Sequence, residues 1–353
     1  MEKTSSLKLK EACVIGSIYY NDYQTEGSIG NVRGKAAINS LINILEKGCK
    51  VAIIIAKETD PKFVDDLKEK LSILGNKSEN IVWNFERESG YSEARREAIS
   101  LARSKYTEPP PRVFIMQEIE KNLSENYEDF LNTLSKDRVL VMMDRGINIS
   151  NNQDLWPEPD HSDVNLPKDQ LWGERSQNIK MARQEEVFGL TDKTKGNHLW
   201  DRLNGVRIIR NELMKTGNVE INPSDLILLK YEYSDGYTEE DRRFKMDGYS
   251  ASVYNPIPIL EALGAENQMA QVSVNYLHPE EQRQQEENDP NFREKRLRQK
   301  TDLPANNFEI VANIKKWQKE GRWPQVLLEA LKGDKVLHIV HLKEDEYFYG
   351  YSN

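Results

Sequence analysis

RVFIMQEIEKN, residues 112–122, joins an apolar run to an abrupt charged segment. Val113, Phe114, Ile115 and Met116 are few enough and apolar enough for a strand buried on both faces, and they stop at Gln117-Glu118-Ile119-Glu120-Lys121. In an open parallel sheet, ligands bind beyond the carboxyl ends of the strands, which is where Glu118 and Glu120 are expected. On an extended segment alternate residues share a side, so both carboxylates face one ligand. Two hard oxygen donors on a rigid edge suit a divalent cation that substrate phosphates also hold. The plainer reading is a polar strand end leading into a loop and a helix.

Working outward, ACVIGSIYY (residues 12–20) and CKVAIIIAKETD (residues 49–60) have the same buried-strand character, and NIVWNFE (residues 80–86) is a third strand. Between the first two, Ala37, Leu41, Ile44 and Leu45 share one face of a helix that Gly48 closes. Asp60 caps a second helix with Pro61 at its first position, and Phe63, Val64, Leu67, Leu71 and Leu74 face inward. Strand, helix, strand, helix, strand makes half of a doubly wound α/β sheet. Residues 21–35, NDYQTEGSIGNVRGK, read as a glycine-spaced loop in which Arg33 and Lys35 reach phosphate oxygens, or as a polar loop without a ligand. Neither a Walker loop nor GxGxxG fits, because Ile29 and Ala36 occupy required Walker positions.

GYSEARREAISLARSKY starts a helix at Ser92 with Arg95 and Arg96 in its first turns, at the ligand edge of the sheet. A helix is expected over residues 124–134 and a buried strand over 139–143, ending at Asp144-Arg145. Residues 147–174 are rich in Asn, Asp and Pro, and with Trp156 and Trp172 they read as a lid. A helix over residues 176–189 carries Glu185, and HLWDRLNG places Asp201 ahead of an Asn204-Gly205 turn and a strand from Val206. Residues 227–231 are strand-like, NPIPILEALG is a short helix, and QVSVNYLH is another strand. The interleaved charges of residues 280–300 mark an exposed helix and loop, and two amphipathic helices follow before a final strand with His338 and His341. His341 is a candidate metal ligand beside carboxylates, with a satisfied structural histidine as the alternative.

The chain has 353 residues, 38% hydrophobic and 30% charged, with a net charge of -9. That balance is globular and argues against nucleic acid as the main partner, while leaving room for a small phosphorylated ligand. The start lacks a secretory pattern and no apolar run is long enough to cross a bilayer, so a cytoplasmic protein is expected. Cys13 and Cys49 are expected to be buried thiols, not a disulfide.

The order of these features over residues 12–235 resembles a nucleotide-sugar-dependent glycosyltransferase of the GT-A type. EIEK stands where that family carries Asp-x-Asp, and it partly resembles the Glu-Pro-Asp-Lys-like segment of a related, mannosylglycerate-synthase-like group, with Ile119 replacing the proline. The resemblance implies a Rossmann-like, mostly parallel α/β sheet with flanking helices, a core over residues 1–235 and an extension over 236–353 that completes the acceptor side. It implies Mn2+ or Mg2+ on Glu118, Glu120 and His341, with Arg33, Lys35, Arg95, Arg96 and Lys121 compensating the charge of a nucleoside-diphosphate sugar. The acceptor would be a small hydroxylated molecule or a saccharide, and Asp201 and Glu185 are the candidate bases. A sugar- or nucleotide-binding module of the same fold, or another α/β enzyme acting on a phosphorylated small molecule, fits the same residues.

Overall fold

β1 (Ala12–Ile18) runs through the middle of a seven-stranded sheet in a computed structural model. The structure describes residues 6–88, 90–135, 137–144, 181–182, 184–185, 188–190, 200, 205–236, 254–274 and 290–341, with backbone alone for Tyr91 and residues 290–304. On one side of β1 lie β2 (Lys50–Ile55) and β3 (Ile81–Phe85), both parallel to it. On the other lies β4 (Val113–Met116), also parallel. Beyond β4 come β6 (Arg207–Arg210), antiparallel to both neighbours, then β5 (Leu140–Asp144) and β10 (Met269–Ser273). The full order is β10-β5-β6-β4-β1-β2-β3. The chain therefore leaves β1 in one direction for β2 and β3 and returns to its other side for β4, which creates a switch point between β1 and β4.

Two apolar layers cover the sheet, and the alternation of β1 supplies both. Ala12, Val14 and Ile18 pack with α1 (Ile29–Glu46), α2 (Pro61–Ser72) and α4 (Tyr127–Leu134). Cys13 and Ile15 pack on the opposite side with α3 (Tyr91–Lys105). A strand buried on both faces has no polar side to present, which is why the strands read as continuous apolar runs. Both cysteines are buried free thiols, as expected, and burial pushes the Cys49 thiol up to about 12.

The rest of the chain adds a short hairpin, β7 (Met214–Thr216) with β8 (Val219–Ile221), then α5 (Asp225–Leu228) and β9 (Lys230–Tyr233). α6 (Pro256–Ala262), the long α7 (Pro290–Lys319) and α8 (Gln325–Lys332) follow, and β11 (Val336–Ile339) pairs in parallel with β9. No described helix is long and apolar enough to cross a membrane. The α/β architecture with a mostly parallel sheet, flanking helices and a C-terminal helical and strand extension agrees with expectation. Residues 147–174, the expected lid, lie outside the described residues.

Two local expectations are corrected. Residues 29–35 of the expected loop are helix: Ser28 caps α1 by accepting from the Asn31 amide at 3.0 Å, and Gly30 and Gly34 lie inside it. A Cβ at Gly30 would stand 1.9 Å from Asp22 Oδ1, and one at Gly34 would stand 2.4 Å from the Tyr23 ring. The glycines serve close packing of α1 on the preceding turn, which outweighs their poor helix propensity of about 1 kcal/mol each. The strand expected over residues 227–231 starts later, at Lys230, because Ile227 and Leu228 complete a single helical turn, Asp225–Leu228.

β4 ends level with Ile15, so β1 continues past it, and the segment after β4 folds across the exposed end of β1. It does so at Gly16, where an added Cβ would lie 2.6 Å from Ile119 Cδ1 and 2.9 Å from the Gln117 carbonyl oxygen. Backbone oxygen cannot yield as a side-chain tip does. We expect Gly16→Ala to lower unfolding free energy by about 1–3 kcal/mol in a urea titration, through overpacking at this crossing.

Candidate functional site

The segment after β4 is a turn and not an extended strand end. The Lys121 amide donates to the Glu118 carbonyl at 3.0 Å, closing Glu118-Ile119-Glu120-Lys121. Ile119, fully buried, points down onto Gly16 and pins the turn to β1. Gln117 clamps it from within: its Nε2 donates to the Lys121 carbonyl at 2.9 Å, and its Oε1 accepts from the Tyr127 hydroxyl at 2.8 Å. The two carboxylates still reach one cavity, by turn geometry in place of strand alternation.

That cavity, about 410 Å³, lies beyond the carboxyl ends of β1 to β4. Ser17, Tyr19, Tyr20, Glu58 and Glu86 line it together with Glu118, Glu120 and Arg33. Gly90 and Ala94 bring the first turn of α3 to its wall, a position where helix amides favour anions. Tyr19 is 57% exposed, an aromatic face open to a ligand, while Tyr20 is buried at the base. Phe63 holds Tyr20 edge-on at 5.1 Å between ring centroids. Tyr19, Tyr20, Glu58 and Glu86 belong to no motif in the sequence. Their one available signal is position, since each stands within about three residues of the end of a strand.

Glu120 is the most enclosed carboxylate of the turn. Its Oε2 accepts from the Tyr20 hydroxyl at 3.1 Å, and its Oε1 accepts from Arg33 Nε at 2.8 Å and from a second Arg33 nitrogen. Glu118 Oε2 pairs with Lys121 Nζ at 2.8 Å. Burial, then the neighbouring Glu120 carboxylate, holds the Tyr20 hydroxyl well above the usual phenol range, so it stays a donor. Burial alone would weaken the Arg33 proton, but Glu120 and its neighbours outweigh it and raise the guanidinium well above its ordinary value.

The expected cation set is only partly assembled. Of Arg33, Lys35, Arg95, Arg96 and Lys121, Arg33 alone lines the cavity among the described residues. Lys35 points outward from α1 to Glu26 at 2.9 Å, on the exposed surface. Lys121 is buried beneath the turn. Arg95 and Arg96 are buried in the α3 layer; Arg96 donates to Glu93 at 2.9 Å and to the Leu229 carbonyl at 2.8 Å. Arg96 therefore ties α3 to the segment before β9, and neither arginine lines the cavity.

His341 is not brought to Glu118 and Glu120. It follows β11 in the separate two-stranded sheet, with its Nδ1 2.8 Å from Glu309 Oε1 of α7 and its ring 6.1 Å from that of Tyr233. Among the described residues, no group of three or more His, Cys, Asp or Glu side chains is arranged to hold a metal ion. Glu185 is fully buried in a layer near α7, where its neighbour Gln184 accepts from Asn307 at 3.0 Å, and it does not line the cavity. Asp201 and Asn204 lie outside the described residues, although the adjoining Trp200 is buried and donates to Glu261 at 2.9 Å.

No protein-family model, curated protein or solved structure matches the chain.

Arg96 separates a structural from a ligand-binding role for the start of α3. Arg96→Gln removes a charge-assisted bond to a buried carbonyl, and we expect a loss of about 1–3 kcal/mol in chemical denaturation, with any ligand affinity of the folded protein unchanged.

Proposed function

We propose that the crevice binds a nucleoside-diphosphate sugar and that the protein transfers the sugar to a hydroxylated small molecule or saccharide. One observation carries the reading: Glu118 and Glu120, from one turn at the switch point of the sheet, line the same cavity as the end of β1 and the start of α3. This is the place where α/β sheets take nucleotides. The α3 amides and the Arg33 guanidinium border the same space and suit the phosphates of such a donor.

The donor set fits a hard divalent cation, Mn2+ or Mg2+, in its chemistry. Glu118 and Glu120 offer oxygen alone, and ions of this kind are commonly held by one or two carboxylates plus substrate phosphates, without a complete protein cage. A cation bound there would neutralise charge that builds on the leaving nucleoside diphosphate as the glycosidic bond breaks. Lys121 pairs with Glu118, and the Tyr20 hydroxyl orients Glu120. Tyr19 offers its exposed ring to the donor's flat or apolar parts.

The acceptor side is assigned to Asp201. A carboxylate there accepts a hydrogen bond from the acceptor hydroxyl and turns its oxygen toward the anomeric carbon.

Glu118→Gln and Glu120→Gln preserve size while removing charge. Each is expected to reduce sugar transfer by two or more powers of ten, roughly the worth of one electrostatic group in such a site. Wild-type rates in both variants across a manganese titration would remove the carboxylates from the site. Asp201→Asn is expected to cut transfer about 100-fold or more with donor affinity near wild type. A lowered melting temperature with normal transfer in the folded fraction would instead make Asp201 a turn cap.

A further inference from the structure

The cavity's only lining cation among the described residues is already engaged with the carboxylate that a metal would use. Arg33 places two nitrogens on Glu120 Oε1, and Tyr20 donates to Oε2, so both carboxylate oxygens are occupied by donors of the chain itself. The two partners differ in freedom. Glu120 is fixed on the pinned turn with its side chain 3% exposed, while the Arg33 side chain is 27% exposed and reaches across from α1. If one partner moves, it is Arg33.

Consider each ligand separately. A divalent cation approaching Glu120 meets a guanidinium on the same oxygen, and displacing that group leaves a second positive charge in the crevice. A tetrahedral anion that draws Arg33 away leaves Glu120 buried without a counter-ion, a state that low-dielectric surroundings penalise. When both ligands enter, Arg33 moves to the anion and the cation takes Glu120, so neither Arg33 nor Glu120 is left without a counter-charge. The two penalties are removed only together.

We propose that Arg33 is an exchangeable counter-ion: it holds Glu120 against a cation until the donor's phosphates take the guanidinium, so that cation and phosphate bind as a thermodynamically coupled pair. The inference rests on the reading of Glu118 and Glu120 as cation ligands. Lys121 and Glu118 do not provide the same exchange, because Lys121 is itself buried under the turn at 9% side-chain exposure. Arg33 is thus a positioning residue for Glu120 in the empty crevice and a phosphate contact in the filled one.

Mn2+ binding to the full chain, followed by the electron paramagnetic resonance signal of free Mn2+, tests this without any turnover. Sulfate serves as a tetrahedral dianion that binds Mn2+ weakly in water. Wild-type protein is expected to bind Mn2+ about tenfold more tightly in saturating sulfate than in chloride, within the usual range of site-site coupling. Arg33→Gln is expected to bind Mn2+ about tenfold more tightly than wild type in chloride and to lose the sulfate response. Arg33→Lys keeps the charge but lacks the two-pronged fork, so it should fall between them. It also supplies the comparison if Arg33→Gln melts below the assay temperature. Unchanged or weaker Mn2+ binding in both Arg33 variants, with binding still abolished by Glu120→Gln, overturns the exchange and leaves the ligand assignment standing. Mn2+ binding that ignores both Glu118→Gln and Glu120→Gln, or that is undetectable in every variant, removes the ligand assignment and this inference with it.

Discussion

The crossing of the post-β4 turn over β1 is the contact on which the site depends. β1 can be crossed there only because Gly16 has no side chain, and Ile119 fills the space that a side chain would occupy. The apolar contact fixes the turn's position, and the Gln117 and Tyr127 hydrogen bonds fix its shape. With Ile119 directed into the core, the flanking Glu118 and Glu120 are left at the cavity. A hydrophobic anchor thus sets the geometry of the charged groups, which suits their need for positions held more tightly than solvent-exposed carboxylates maintain.

Charge in the crevice is organised by burial. Among the described residues four glutamates line the cavity, and carboxylates gathered there repel one another. Arg33 and Lys121 offset Glu120 and Glu118 at close range. Glu86 accepts from the Lys57 amide at 3.2 Å. The remaining basic groups of the region serve the scaffold: Arg96 links α3 to Leu229, and Arg103 joins Asn211, Ser224 and Asp225. A basic side chain near a ligand edge in sequence can therefore serve the packing of the sheet's second layer.

The strands and most helices could be read from residues because the sheet is covered on both faces and its strands are unbroken apolar runs. Val113–Met116 agrees to the residue, and Asp60 with Pro61 marks the start of α2 as expected. Gly30 and Gly34 misled because glycine spacing marks a loop locally, whereas here it accommodates Asp22 and Tyr23 against α1. By the same spacing Arg33 would belong to a loop. It stands on a helix face, and Lys35, two residues on, consequently points elsewhere.

The sequence by itself determined the α/β class, the succession of buried strands and the acidic segment at the end of β4, since these follow from hydrophobic periodicity and composition within short windows. Tertiary structure alone decided which charges meet. Glu120 lies 100 residues from Tyr20 and 87 from Arg33 along the chain and meets them only when α1 and the turn both pack against β1. It likewise set His341 beside Glu309 and kept Arg95 and Arg96 within the α3 layer. Residue type states what a side chain can bond, but its partner is chosen by burial and distance, and those exist only once the layers are assembled.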